Sequence, residues 1–256
     1  MQAISSGSVV VENGQEGVAK VIFCNLATNS MPIKLLEELV STIETLGERS
    51  DVQVIILQSG GERTFCSGAD FDQLLQIENE NSGKIFFNGF AKIINSCRKC
   101  PKIIIGRVQG KSVGGGVGLA AATDYCMATK FASIKLSELN IGIIPAVIEP
   151  VVERKMGLSA FSQMALNPNE FFSADWAKEK GLFMEVFDTI EEMDKAVKDL
   201  ANRLTTYNPE ALMELKKILW KNTDHWDELL AERAEISGRL VLSAFTKKTL
   251  GKWKQP

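Results

Sequence analysis

Histidine is almost missing from this chain of 256 residues: there is one, His225. That excludes the multi-histidine centres of zinc and non-haem iron enzymes. It also leaves a serine hydrolase a single base to draw on. His225 stands between Asp224 and Trp226 in a helical stretch, far in sequence from every glycine turn, and reads as a plain helix residue. The five cysteines (Cys24, Cys66, Cys97, Cys100, Cys126) are odd in number and scattered. They imply no disulfide framework, and a reducing, cytoplasmic compartment is expected. Cys97 and Cys100 have C-x-x-C spacing, but a zinc site wants a second pair or histidines, so they read as helix-end thiols rather than a metal or redox pair. No sign of charge dominates: 29 basic against 32 acidic side chains give a net charge of −3, which argues against a nucleic-acid partner. No apolar run is long enough to span a membrane. The nearest, residues 103–122, is broken by Arg107, Gln109 and Lys111. The polar N-terminus lacks the apolar core of a signal peptide.

What is present is alternation. Residues 19–23, 52–57, 103–105, 125–128 and 133–136 read as strands, the longer ones β-branched and buried on both faces. Between them lie helical patterns. Pro32 opens one in which Leu35, Leu36, Leu39, Val40, Ile43 and Leu46 share a face, with Gly47 as the expected C-cap. Ile85, Phe86, Phe90, Ile93, Ile94 and Cys97 mark another, ending before Pro101. The fold class is therefore α/β. Past residue 190 the pattern turns helical throughout, with Leu212, Leu215, Ile218 and Leu219 marking one helix and Leu229 to Leu242 another. The expected division is residues 1–190 as a core carrying the site and 191–256 as a helical region. The basic end (Lys247, Lys248, Lys252, Lys254) reads as a solvated tail.

Two glycine-centred turns carry the chemical signal. One is Ser67-Gly68-Ala69-Asp70 and the other Gly114-Gly115-Gly116, followed by Val117-Gly118-Leu119. Each follows a strand pattern and precedes a helical one, a junction that leaves backbone N–H groups unpaired. Two such turns converging on one point would form an oxyanion hole. Downstream lies Ser137-Glu138-Leu139-Asn140-Ile141-Gly142-Ile143-Ile144-Pro145. Glu138, at a strand end beside a Gly/Pro loop, is the candidate general acid or base if it faces an apolar pocket. Glu149, just before Pro150, reads as a helix-start residue and is the runner-up carboxylate; Asp70 reads as support for its turn. A rival pattern, Gly116-x-Gly118-x-x-Ala121, fits a dinucleotide fingerprint. However, residues 110–113 separate it from the strand at 103–108, and the bare pattern is weak.

Taken together, Ser-Gly-Ala-Asp at 67–70, Gly-Gly-Gly at 114–116 and Ser-Glu-Leu-x-Ile-Gly-x-x-Pro at 137–145 resemble the crotonase (enoyl-CoA hydratase/isomerase) superfamily. So does Ser173-Ala174-Asp175-Trp176-Ala177-Lys178-Glu179-Lys180-Gly181-Leu182. The resemblance spans essentially the whole chain. It implies a spiral of ββα units with C-terminal helices that pack in a homotrimer or a dimer of trimers. It implies an acyl-CoA substrate, no separate cofactor, no metal, and a thioester oxygen held by the amides of Ala69 and Gly115. Glu138 matches the family's acid/base glutamate, and Gly68, Gly114, Gly118 and Pro145 fall where substrate is bound. Hydratases of the best-known type carry a second glutamate where this chain has Gly118. That position, with Pro145-Ala146-Val147-Ile148-Glu149-Pro150 in place of the usual glycine-rich run, looks more like the methylglutaconyl-CoA hydratase branch. The expectation is hydration of a branched or carboxylated enoyl-CoA by one carboxylate, with Gly118 leaving room for a bulkier substrate. Isomerisation and decarboxylation are the alternatives inside the superfamily, and a non-catalytic acyl-CoA binder the alternative outside it. Many relatives carry a basic residue after the first strand. Asn25-Leu26-Ala27-Thr28-Asn29-Ser30-Met31 has none, so the CoA phosphates are expected to be met elsewhere, for example by the lysine-rich tail of a neighbouring subunit.

Overall fold

The β-branched runs pair into two sheets, seen in a computed structural model that describes residues 7–14, 17–25 and 28–253. In chain order the elements are β1 (Ser8–Asn13), β2 (Gly17–Cys24), α1 (Ile33–Glu48), β3 (Val52–Ser59), β4 (Thr64–Cys66), α2 (Phe71–Leu75) and α3 (Glu80–Lys99). Next come β5 (Ile103–Val108), β6 (Lys111–Val113), α4 (Gly115–Ala121), β7 (Tyr125–Thr129), β8 (Ser133–Lys135) and a short 3-10 turn (Glu138–Ile141). They continue as α5 (Glu149–Leu166), β9 (Phe172–Ser173), α6 (Ala174–Glu179), β10 (Glu185–Phe187), α7 (Ile190–Leu204), α8 (Pro209–Leu219), α9 (Trp226–Leu240) and α10 (Ala244–Trp253).

The larger sheet runs β1-β2-β3-β5-β7-β10, parallel from β2 onward; the smaller runs β4-β6-β8-β9. The chain therefore repeats one move. A strand enters the large sheet, the next enters the small sheet, and a helix follows: β3-β4-α2, β5-β6-α4, β7-β8-α5. This is the expected α/β spiral of ββα units. Its consequence is that β4, β6 and β8 lie side by side, so the segments leaving their C-terminal ends meet in space.

Strand alternation gives the large sheet two cores. Val21, Phe23, Ile55, Leu57 and Ile104 face one side, with α1 and α3. Val54, Ile56, Ile103, Ile105 and Met127 face the other, where Met193, Val197 and Ala201 of α7 cover them. The helices after residue 190 thus share the core. Leu230 and Ala234 of α9 are fully buried with it. The motif at 173–182 has a local reason: Ser173 Oγ caps α6 by accepting from Trp176 N at 3.1 Å, Gly181 takes a left-handed φ of 88°, and Leu182 is buried.

Three expectations are corrected. Gly47 does not cap α1. It lies inside the last turn, where a Cβ would come within 3.2 Å of Pro101 Cδ, so it serves packing rather than termination. Most of the apolar stripe of α8 points outward: Leu212 is buried, but Leu215, Ile218 and Leu219 are exposed, Ile218 by 62%, while Lys216 is buried. The reason is Asp124, whose carboxylate Lys216 meets at 2.7 Å. The basic end is not wholly solvated either, since Lys247 Nζ donates to the carbonyl of Ile77. Lys254, like Leu26 and Ala27, lies outside the described residues.

Candidate active site

The two glycine turns meet. The first leaves β4 and enters α2, and residues 28–31 clamp it. Met31 N donates to Gly68 O at 2.8 Å, Ser67 N to Thr28 O at 3.1 Å, and Ser30 Oγ to Asp70 Oδ2 at 2.9 Å. Asp70 also caps α2 by accepting from Gln73 N at 3.1 Å, which is the supporting role expected of it. The loop itself is pinned by buried Asn29, whose amide donates to the carbonyls of Gly60 and Thr64, each at 2.9 Å. Gly68 has φ 86°, and a Cβ there would lie 2.7 Å from Val113 O and 3.3 Å from Gly115 N. Only glycine permits both the left-handed backbone and the close approach of the second turn.

The second turn leaves β6 and enters α4 through Gly114, whose N–H donates to Lys135 O at 2.9 Å. Its φ is 53°, and a Cβ would sit 2.7 Å from Glu138 Oε1. So the glycine brings the glutamate against the turn. Gly115 is the first residue of α4, where an N–H has no intrahelical acceptor. The ring of Phe90 packs over it, leaving no space for a side chain. Among the described residues neither the Ala69 N–H nor the Gly115 N–H has a hydrogen-bond acceptor.

Glu138 opens the 3-10 turn that follows β8, and Gly142 closes that turn at φ 81°. The residue as a whole is half-buried, but its Oε2 is withdrawn from solvent and has no partner among the described residues. Burial pushes the carboxyl up from its ordinary 4.5 to about 7; a backbone hydrogen bond offsets this only in part. Such a group holds and releases a proton near neutrality.

A cavity of ≈ 510 Å³ joins these parts. Ala69, Gly115, Glu138, Gly68, Gly114 and Pro145 all line it. Much of the rest of the wall is apolar, including Leu74, Phe87, Phe90, Ile141, Val147 and Ile148. Gly118 is not on the wall, and it leaves no room. A Cβ there would be 2.3 Å from Ile148 Cγ2, so Ile148 already fills the space and presents itself to the cavity instead. Glu149 is off the wall too. It is the first residue of α5, 3.3 Å from Arg233 Nη2, its carboxyl raised chiefly by burial and then by Glu153. Cys97 and Cys100 are buried free thiols, Cys97 pushed up to about 12 by burial, which suits packing rather than reactivity.

Sequence reasoning missed several lining groups. Phe90 reads as the core face of a helix, Phe87 lies outside that pattern, and nothing in the periodicity marks either as cavity wall. Lys135 reads as a strand residue. Its alternation with buried Ile134 and Leu136 was the available signal that it faces elsewhere.

The family model described as Enoyl-CoA hydratase/isomerase matches residues 13–251. The chain belongs to the enoyl-CoA hydratase/isomerase family, within the crotonase superfamily. Among family members, it is similar to the bacillaene synthase dehydratase PksH of Bacillus subtilis, 30% identical over 204 residues that make up 78% of this chain and 74% of that one. It is 27% identical over 209 residues to the peroxisomal Δ(3,5)-Δ(2,4)-dienoyl-CoA isomerase of Arabidopsis thaliana, covering 77% and 74% of the two chains. The fold matches the crystal structure of enoyl-CoA hydratase from Bacillus halodurans with a TM-score of 0.88 at 20% identity, over 95% of this chain and 99% of that one.

Proposed function

We propose that this family member catalyses reversible hydration of an enoyl-CoA, on a branched substrate of the 3-methylglutaconyl type, with Glu138 as its one working carboxylate. The observation that carries the reading is the buried, unpartnered Oε2 of Glu138 on the wall of a cavity that also holds two idle amides. In this reading the thioester oxygen accepts from Ala69 N–H and Gly115 N–H. The Glu138 carboxylate takes a proton from water as the water oxygen bonds to Cβ. The π electrons of the enoyl group move onto the thioester oxygen, where the two amides stabilise the enolate. The enolate then collapses, Cα takes the proton from Glu138, and the carboxylate is restored. One water has crossed the double bond, and the reverse order of steps is dehydration. The likeness to a dehydratase relative supports addition and loss of water.

A second reading, double-bond isomerisation, has one observation in its favour. Ile148 closes the space beside Gly118, so no second carboxylate is there to hold water. Proton removal and return by Glu138 alone would suffice. The two readings separate on a panel of linear, branched and carboxylated enoyl-CoAs with product identification by mass. Gain of one water with loss of the conjugated thioester absorbance is expected. A shifted double bond at unchanged mass, or release of carbon dioxide, would replace hydration by isomerisation or decarboxylation. Assembly as a homotrimer or dimer of trimers belongs to the same proposal, and the exposed apolar stripe of α8 supports self-association.

A further inference from the structure

Three strands of the smaller sheet set a cation into the cavity wall. In the register of β6 and β8, Val113 lies opposite Lys135. In that of β8 and β9, Ile134 lies opposite Phe172, which carries Lys135 to the level of Phe171. Alternation puts Lys111, two residues before Val113, on the same face. That face is turned to the cavity, because Val113, Lys135 and Phe171 all line it. The Lys135 ammonium lies 4.6 Å from the centre of the Phe171 ring and the Lys111 ammonium 5.2 Å from it. Among the described residues neither lysine has a carboxylate partner, and the ring they share is 45% exposed.

Two like charges held on one ring repel, and an anion between them and the cavity would relieve both. Position argues for where that anion sits. The carbonyl of Lys135 accepts from Gly114 N–H, next to the donor Gly115, and three residues later the chain reaches Glu138. Lys135 therefore borders the same cavity as Gly115 and Glu138, within reach of the space that an acyl chain would fill. Asp70 and Asp72 line the cavity elsewhere and would repel an anion.

We propose that Lys135, backed by Lys111 and Phe171, receives a carboxylate carried on the acyl chain, so that the site prefers acyl-CoA thioesters bearing a second acid group. The proposal rests on the acyl-CoA reading above, and binding separates the two. Affinities of glutaryl-CoA and isovaleryl-CoA, which cannot react, are measured by calorimetry for the wild type, Lys135→Met and Lys135→Arg. The wild type is expected to prefer glutaryl-CoA roughly ten- to a hundredfold, the scale of one charge-assisted hydrogen bond. Lys135→Met should abolish that preference, Lys135→Arg should keep most of it, and added salt should shrink it. Equal affinity of the wild type for both thioesters would overturn the assignment while leaving acyl-CoA binding intact. An equal loss on both in Lys135→Met would do the same, and would hand the lysine to the CoA phosphates. Failure of both thioesters to bind at all would overturn the acyl-CoA reading and this one with it.

Discussion

Two carboxylates in unlike surroundings show how a structural acid differs from a candidate reactive one. Asp124, just before β7, has a side chain only 2% exposed and both carboxylate oxygens engaged. Its Oδ2 accepts from Ile104 N and Lys216 Nζ and its Oδ1 from Trp220 Nε1, each at 2.7 Å. It ties α8 to the sheet. Glu138, at the end of β8, is half-buried as a residue, yet its Oε2 is withdrawn from water with nothing to accept among the described residues. Burying a charge without partners costs several kcal/mol. A fold that tolerates that cost at one place and avoids it at another marks the first as the place where a substrate completes the set. Glu149 adds a second lesson. Its carboxyl is also raised, but it is paired with Arg233 and away from the cavity, so a raised pKa alone does not identify the working acid.

The sharpest break of the comparison is Glu138→Gln. Turnover should fall roughly a hundred- to ten-thousandfold, the contribution of a positioned acid/base group. The same variant should be no less stable. Because the folded carboxyl titrates at about 7 rather than 4.5, its stabilising contribution is complete below pH 4.5 and is lost as pH rises through 7, on the order of 3 kcal/mol. Melting curves should therefore show Gln level with the wild type in acid and above it well past neutrality. A variant that melts lower at every pH would mean that Glu138 is a structural acid like Asp124.

Asp124→Ala should behave in the opposite way. It strands the Lys216 ammonium in a site where that side chain is 3% exposed, a loss of about 3–5 kcal/mol in denaturant titration. The rate per folded molecule should not change; a drop comparable to that of Glu138→Gln would erase the distinction. The smallest effect concerns the space beside Gly118, which was expected to be open. Gly118→Ala should cost about 1–3 kcal/mol by overpacking against Ile148. Combining it with Ile148→Ala should recover part of that loss, and purely additive losses would show that the two positions do not touch.

How much of this was legible in the chain varies with the range of the interaction. The junctions at 67–70 and 114–116 were readable because strand, glycine and helix follow one another within a few residues, and a left-handed turn admits little but glycine. The cap at Ser173 and the Gly181-Leu182 ending were readable for the same reason. The inward face of α8 was not. Periodicity ranks Leu215, Ile218 and Leu219 above Lys216, and only the presence of Asp124 against α8 reverses that order. Nor was Ile148 as the filler of the Gly118 space, thirty positions away in sequence and adjacent in the fold.

Sequence alone therefore determined the α/β class, the two turns with their candidate donors Ala69 and Gly115, the candidate acid Glu138, and the family they resemble. All of these are statements about neighbours along the chain. Tertiary structure decided that the two turns abut, that one Glu138 oxygen is left without a partner among the described residues, that Ile148 closes the place beside Gly118, and that Lys135 lines the cavity. The physical reason is that burial and pairing depend on which distant segments meet. Here the packing of β4, β6 and β8 side by side brings them together.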